Sequence, residues 1–247
     1  MEGRSGVDNS TRIGRLDSVS LAGIAIFGAL AVVLTTVSQS LGLNFPLLPY
    51  LQFDLGEIAI FMAFFIFGPV PAVVASFIEF GTLLAIGENT PIGPPLKLAS
   101  ILSSLLGIWV GTLLVSRMKK PTLSKAAGLG VFLGILARMG AMTLANYYLI
   151  VFLSAYFSYY SLTAILSYYG HYLQSAGFPV SASNGLEIIL AVTAVFNALQ
   201  LLFAAGVSFA IIRLPQIRST RAAGRGLWIS RYIQKKESVR LSQSASP

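Results

Sequence analysis

The chain has no cysteine and a single histidine, His171, among its 247 residues. Without thiols there is no disulfide framework, no thiolate nucleophile and no cysteine metal site, and one imidazole makes no histidine cluster. The sequence also lacks the phosphate loop G-x-x-x-x-G-K-[ST], the zinc motif H-E-x-x-H and the nucleophile elbow G-x-S-x-G. We therefore expect no metal site, no resident cofactor and no enzymatic activity.

Charged residues are scarce as well, at 11% of the chain against 55% hydrophobic residues, and the mean hydropathy is +0.76. A soluble domain typically has about a quarter charged residues. A membrane-spanning helix needs about 20 apolar residues. Apolar segments lie at 19–40, 55–68, 70–87, 97–116, 126–153 and 186–213. The sequence thus predicts an all-α integral membrane protein with six transmembrane helices.

Two prolines, Pro69 and Pro71, interrupt the stretch that contains the second and third segments. Proline removes a backbone donor and clashes with the preceding turn, so a helix break is expected there, with one kinked helix as the alternative. The charges favour two helices. With six spans the basic residues of both tails and of the loop at 117–125 lie on one side of the membrane, whereas five spans would divide them.

The net charge of +8 comes mostly from these tails and this loop, which is typical of a topology signal and not of a nucleic-acid groove. The basic side of a membrane protein is the cytoplasmic side. We therefore expect a cytoplasmic N-terminal segment at 1–18, a six-helix membrane domain at 19–213 and a basic cytoplasmic tail at 214–247. The tail is expected to be solvated and to face lipid headgroups.

Two outer segments are distinctive. The stretch "NFPLLPYLQFDLGE" (Asn44 to Glu57) is punctuated by prolines and ends in two acids, and the stretch from Ser154 to Gly185 is long and rich in tyrosine. The middle of the second stretch is expected to form an interfacial helix. Its tyrosines fit an aromatic belt at headgroup depth, and its length fits a lid over an outward-facing pocket. Both interpretations stay open.

A few polar side chains lie within the apolar segments, where each one needs a partner or a cavity. Glu79 and Arg138 come at similar depth when counted at about 1.5 Å per residue from the inner ends of their segments, which predicts an ion pair between them. This pair either fixes helix register alone or takes part in function. Lys97 begins the fourth segment near the outer surface.

Three amides accompany these charges. Asn197 and Gln200, in "AVFNALQLLFAAG", share one helix face at i, i+3, and Asn146 lies on a strip with Arg138 and Met142. Amides are donors and acceptors, so they either hydrogen-bond between helices or bind a neutral, flat heterocycle. Transport or solute capture is the class that remains. No energy source is visible, so either a partner supplies it or the solute flows down a gradient, as in a stand-alone secondary carrier; a purely structural membrane protein is the other alternative.

The ordered series "FDLGEIAIFMAFFIFGPVPAVV", "PIGPPLKLAS", "ARMGAMTLANYYLI" and "FNALQ" over residues 20–212 resembles the substrate-binding (S) components of energy-coupling factor (ECF) vitamin transporters, and the riboflavin-binding type in particular. The resemblance implies high-affinity capture of a vitamin from outside the cell membrane. It also implies a transmembrane coupling protein and two cytoplasmic ATPases as partners, which would account for the missing phosphate loop. A flavin would be the transported ligand.

The resemblance also implies site residues. Asn146 and Asn197 match amides that face the flavin ring, and Gln200 stands where the family has a lysine. Asp54 and Glu57 stand where the family has an acidic pair in the first outer loop, with the capping of the second helix as the alternative role.

Other positions depart from the family or concern its partners. Lys97 lies near a family asparagine, and Glu79 lies where the family usually has a lysine. These departures leave another flat heterocyclic vitamin or a modified flavin as alternatives to riboflavin. Ala25 and Ala29 form an A-x-x-x-A pair similar to the small-residue face that meets the coupling protein in that family.

Overall fold

The computed structural model describes residues 17–87, 90–156, 161–214 and 227–244. Within these ranges the secondary structure is helical, apart from one isolated bridge between Asn44 and Gln52. The α-helices are α1 (Ser18–Ser40), α2 (Gly56–Phe67), α3 (Pro69–Ala85), α4 (Gly93–Ser116), α5 (Leu123–Val151), α6 (Leu162–Ser175), α7 (Gly185–Ile212) and α8 (Trp228–Ser244). The predicted all-α class is confirmed for this part of the chain.

Each of the six apolar segments contains a helix, but the helices differ in length. Four of them, α1, α4, α5 and α7, are long and apolar enough to cross a membrane. By contrast, α2 has 12 residues and α3 has 17, fewer than the roughly 20 that a straight span requires. The crossing of the membrane by α2 and α3, and the cytoplasmic position of the termini, stay predictions.

The predicted break between the second and third segments lies at Gly68. Its φ of 106° is in the left-handed region that favours glycine, and Pro69 begins α3 at a position where its missing N–H costs no helical hydrogen bond. The structure therefore has two short helices here and not one kinked helix.

Two glycine pairs bring α4 and α5 into backbone contact. A Cβ added to Gly107 would lie 2.5 Å from the Cα of Gly134, and one added to Gly111 would lie 2.4 Å from the Cα of Gly130. Small residues at such crossings let two helix backbones approach more closely than any larger side chain allows. The pair α4–α5 is thus the most closely packed helix pair of the bundle.

The bundle has two distinct ends. At one end, which we call the tail end, Arg213 after α7 donates to Ser124 of α5 at 2.6 Å, and Trp228 of α8 packs on Phe64 of α2. At the other end, which we call the cavity end, residues 41–55 and α6 cover the helices. Their apolar side chains pack with α7 around Phe45, Leu48, Ile165, Leu173, Ile189 and Phe196.

The expectation of a solvated tail holds only in part for residues 227–244. The side chains of Lys235 and Lys236 are exposed, but α8 also packs on α2, α4 and α5, with Ile229 fully buried and Ile233 4% exposed. The expected position of the tail against lipid headgroups stays a prediction. The apolar residues of "LWISRYI" form a short amphipathic face, which stabilises the helix against the bundle although its surroundings are basic. Residues 1–16 and 215–226 lie outside the described residues.

Candidate functional site

A cavity of about 420 Å³ lies at the cavity end of the bundle. Such a volume falls in the range of roughly 300–1,000 Å³ typical of small-molecule pockets. The residues that line it include each of the six predicted ligand-binding positions, Asp54, Glu57, Lys97, Asn146, Asn197 and Gln200. Residues up to 146 positions apart in sequence thus come together, and ligand binding by them stays a prediction.

The ammonium group of Lys97 is the centre of a four-residue cluster. Its Nζ forms an ion pair with Asp54 and donates to Glu79 Oε1 at 2.7 Å and to Thr35 Oγ1 at 2.6 Å. The Thr35 hydroxyl also lies 2.9 Å from Asp54 Oδ1 and 2.8 Å from Glu79 Oε1. The cluster joins α1, α3, α4 and the segment before α2 through one partly buried charge network.

Gly56, the first residue of α2, lies against this cluster. A Cβ at this position would be 2.1 Å from Thr35 Oγ1, 2.5 Å from the carbonyl oxygen of Ala31 and 2.8 Å from Glu79 Oε1. Real Cβ atoms do not come this close to backbone or polar atoms, so α1 and α2 can meet here only at a glycine. Because Gly56 has no side chain, α1 and α2 can come close enough for the hydrogen bonds of the Lys97 cluster to form.

A second ion pair joins α2 to α5. Arg138 donates from Nη1 to Glu57 Oε2 at 2.6 Å and from Nη2 to Glu57 Oε1 at 2.9 Å, while its Nε donates to Asn197 Oδ1 at 2.9 Å. Both ionic side chains are buried: that of Arg138 is 3% exposed and that of Glu57 is 2% exposed. The two parallel bonds form the bidentate geometry that makes arginine–carboxylate pairs strong and directional.

The predicted ion pair between Glu79 and Arg138 is therefore wrong. Glu79 pairs with Lys97, and Arg138 pairs with Glu57. The error has a physical origin: residue counting gives the depth of a side chain along its helix, but it says nothing about which neighbouring helix the side chain faces. Lys97 lies near the start of α4, at the cavity end, where its side chain is 16% exposed.

The amides of α7 are already engaged by protein groups. Gln200 Nε2 donates to the carbonyl oxygen of Asp54 at 2.8 Å, and Gln200 Oε1 accepts the backbone N–H of Asp54 at 3.2 Å. Asn197 accepts from Arg138 and donates to the carbonyl oxygen of Thr193 at 2.9 Å. Both amides hold other residues of the cavity wall in place, so interhelical hydrogen bonding, one of the two interpretations from the sequence, is present here.

Asn146 differs from these two amides. Its Nδ2 donates to the carbonyl oxygen of Met142 in its own helix at 2.8 Å, and within the described residues its Oδ1 has no protein hydrogen-bond partner. The side chain is 7% exposed and lines the cavity. An amide held at one end and open at the other offers a fixed acceptor to a ligand.

Of the two roles expected for the acidic pair of the first outer segment, the structure has the contact with the start of α2, and it adds ion pairing. Contact with a ligand stays a prediction. Asp54 Oδ1 accepts the backbone N–H of Gly56 at 2.7 Å, which satisfies an orphan donor at the start of α2. Its carboxylate also pairs with Lys97, and Glu57 in the first turn of α2 pairs with Arg138. Capping and ion pairing thus act together on the wall of the cavity.

The tyrosine-rich outer segment contains the expected helix, α6. Its Ile165 lines the cavity, and its Tyr169 ring lies 5.1 Å from the ring of Tyr50 in the first outer segment. His171 is exposed and packs on the ring of Tyr172 at 4.0 Å, away from the cavity. Residues 157–160 of this segment lie outside the described residues, and a lid function stays a prediction.

Sequence reasoning named only six of the residues that line the cavity, and among those it missed are polar residues of α1. Thr35 and Gln39 of α1 line the cavity, and Gly56 lies behind it. A signal existed in "TTVSQS", a run of hydroxyl and amide side chains that ends an otherwise apolar helix. This signal is weak, because a hydroxyl side chain in a helix can also donate to a carbonyl group of the same helix. Thr36 does so to the carbonyl oxygen of Val32 at 3.0 Å.

The predicted coupling residues, Ala25 and Ala29, lie outside the cavity. Ala25 and Ala29 are exposed on α1, whereas Gly23, Ile24, Gly28 and Ala31 of the same helix are buried. The A-x-x-x-A pair thus faces away from the bundle and from the cavity. An outward small-residue face is available to lipid or to a partner helix.

Comparisons with known proteins bear on the fold and on the family. A solved bacterial structure, described as "Structure and mechanism of the S component of a bacterial ECF transporter", has a similar fold with a TM-score of 0.55 at 20% identity, over 79% of this chain and 94% of that one. No curated protein matches the sequence. The family model "ECF transporter, substrate-specific component" matches residues 19–212. The chain therefore belongs to the family of substrate-specific components of ECF transporters.

Proposed function

We propose that this protein captures riboflavin at the cavity end of the bundle, with a transmembrane coupling protein and two cytoplasmic ATPases supplying the energy for uptake. The observation that carries the proposal is the convergence of the charged and amide side chains on one cavity in which each charge is already paired. A site of this kind fits a ligand that is polar at its edges but has no net negative charge.

The charge balance disfavours an anionic ligand. Three carboxylates, of Asp54, Glu57 and Glu79, face the two cations of Lys97 and Arg138. An anionic vitamin would add a negative charge to a site whose cations already have carboxylate partners. No free cation among the described residues of the site would then offset the cost of removing the vitamin's charge from water. Riboflavin is neutral and therefore meets no such penalty.

Shape and hydrogen bonding support a flat ring. Tyr50, Phe53 and Phe196 line the cavity, and aromatic side chains pack well on planar heterocycles. The open Oδ1 of Asn146 is an acceptor for a ring N–H, which an isoalloxazine carries between its two carbonyl groups.

A second candidate is a flat heterocycle with a positive charge. The excess of one carboxylate over the paired cations favours it, because a cationic ring would complete the charge balance of the site. The same cavity would serve this ligand without any change in the fold.

The direct test is the colour and absorbance of the freshly purified protein, followed by titration of added riboflavin while its fluorescence is recorded. A yellow protein, or saturable quenching at one flavin per chain, supports the proposal. A colourless protein that leaves flavin fluorescence unchanged overturns the riboflavin assignment, and a cationic heterocycle is then titrated by calorimetry.

Energy coupling is tested separately in liposomes. Uptake that requires the coupling protein, both ATPases and ATP supports the proposal. Flux through the chain alone without ATP would identify a stand-alone secondary carrier, whatever the ligand.

A further inference from the structure

Outside the cavity, the basic side chains that the structure describes are confined to the tail end of the bundle. Apart from Lys97 and Arg138, they belong to the loop after α4 and the start of α5, to the end of α7 and to α8: Arg117, Lys119, Lys120, Lys125, Arg213, Arg231, Lys235 and Lys236. Asp17, the residue before α1, is an acidic residue at the tail end. The carboxylates that line the cavity lie at the cavity end. The molecule is therefore strongly polarised in charge.

Helix α8 adds its charges to those of the loop. Its Ile229 and Ile233 are buried against the bundle, and it packs on both α4 and α5, the two helices that the basic loop connects. Lys119, Lys120, Lys235 and Lys236 are exposed. The basic residues of α8 are thus held at the same end as the basic loop, which agrees with the expectation from the sequence. What the sequence alone does not specify is that α8 packs on the bundle.

Aromatic residues of α8 accompany the charges. The Trp228 ring stacks on Tyr232 at 5.1 Å and 23°, and it also packs on Phe64 near the end of α2. Tryptophan and tyrosine are enriched at the depth of lipid headgroups, where their rings are partly buried and partly wet. The outward faces of α1, α5 and α7 are apolar and exposed, with Ile26, Leu144 and Leu202 as examples, so the bundle below α8 is suited to a lipid surrounding.

We propose that the tail end, formed by α8 and the α4–α5 loop, binds the headgroups of anionic phospholipids. Clusters of lysine and arginine next to the end of a membrane helix attract anionic lipid, and the interaction weakens with salt. The buried face of α8 fixes its lysines relative to the bundle, so the site is part of the folded molecule and not a free tail. The proposal does not depend on which ligand the cavity binds.

The test uses the full-length protein purified in a neutral detergent. Short-chain phosphatidylglycerol and short-chain phosphatidylcholine are added in separate titrations, and thermal unfolding is followed. We expect phosphatidylglycerol to raise Tm by several degrees more than phosphatidylcholine does, and we expect added salt to remove the difference. Equal shifts from both lipids would overturn the proposal.

Two variants locate the effect. The double variant Lys235→Gln, Lys236→Gln should lose most of the phosphatidylglycerol shift, and the matched control Lys235→Arg, Lys236→Arg should keep it. Because these side chains are exposed, both variants should elute and unfold like the parent protein without lipid. A full shift in the glutamine variant, or an equal shift with glycerol phosphate that carries no acyl chain, would contradict a lipid site at α8.

Discussion

The carboxamide of Gln200 in α7 holds the backbone of Asp54 at both its N–H and its carbonyl group. Asp54 in turn pairs with Lys97 through its side chain. A residue 146 positions away in sequence therefore sets where the first outer segment meets the cavity. Gln200 acts here as a positioning residue, since its Nε2 and its Oε1 each form a hydrogen bond with the backbone of Asp54.

The variant Gln200→Leu tests this role. Leucine has a similar size but leaves two partly buried backbone groups of Asp54 without their partner, at a cost of up to about 1–3 kcal/mol for each group. We expect ligand affinity to fall by about tenfold or more, since about 1.4 kcal/mol corresponds to tenfold, and Tm to fall as well. Leu199→Ala is the control, because Leu199 is 43% exposed on the outer face of the same helix. Unchanged affinity in Gln200→Leu would show that the two hydrogen bonds from Gln200 to the backbone of Asp54 are not needed for ligand binding.

The pairing of Glu57 with Arg138 is tested by a double-mutant cycle. Removal of one partner leaves the other charge buried and unpaired, and costs about 3–5 kcal/mol. We expect Glu57→Leu and Arg138→Met to be strongly destabilising singly, and the double variant to be more stable than the sum of the two effects predicts. Chemical or thermal unfolding in detergent gives the coupling energy. A cycle with Glu79→Leu and Arg138→Met should give a smaller coupling, and a larger one there would revive the ion pair expected from the sequence.

Much of the fold could be predicted from the sequence, because it depends on local patterns. Apolar runs locate six of the helices, and the break at Gly68 follows from the prolines behind it. The same reasoning selected polar residues that line one cavity, since polar groups within apolar helices need a common polar region. Whether they bind a ligand stays a prediction.

The pairings within the cavity could not be predicted in this way. A single sequence gives depth along a helix but not the rotation of one helix relative to another, so Arg138 was assigned to Glu79 and not to Glu57. The tail helix was missed for a different reason. Its apolar residues, such as Ile229 and Ile233, are few and surrounded by charge, and only their packing on the bundle reveals that they belong to the core.

The glycine at the start of α2 offers a steric test of the Lys97 cluster. Gly56→Ala places a Cβ 2.1 Å from Thr35 Oγ1, so α1 and α2 must separate and the bonds of Thr35 must lengthen. Overpacking of this kind costs about 1–3 kcal/mol, and we expect both Tm and ligand affinity to fall. Gly81→Ala is the matched control in α3, since nothing lies within 4 Å of its added Cβ. Equal behaviour of the two variants would argue against a tight contact at Gly56.

The two asparagines of the cavity should respond differently to truncation. Asn146→Ala removes an acceptor without a protein partner, so we expect ligand affinity to fall by about 1–3 kcal/mol if a ligand donor binds there, with little change in the Tm of the ligand-free protein. Asn197→Ala removes the acceptor to which Nε of the buried Arg138 donates, so Tm should fall even without ligand. Leu144→Ala, at a side chain 70% exposed, serves as the control in α5. A large loss of ligand-free stability in Asn146→Ala would identify that residue as structural as well.

The outward alanines of α1 test the assembly with a coupling protein. Ala25→Trp and Ala29→Trp add bulk to a face that is exposed and remote from the cavity, so ligand binding should be retained. If a partner helix packs closely on this small-residue face, the same variants should abolish co-purification with the coupling protein and stop ATP-driven uptake. Leu136→Trp places the same bulk on the exposed face of α5, where Leu136 is 51% exposed, and should assemble normally. Normal assembly of both alanine variants would move the coupling face away from α1, and loss of ligand binding would show that this face is needed for the fold of the site.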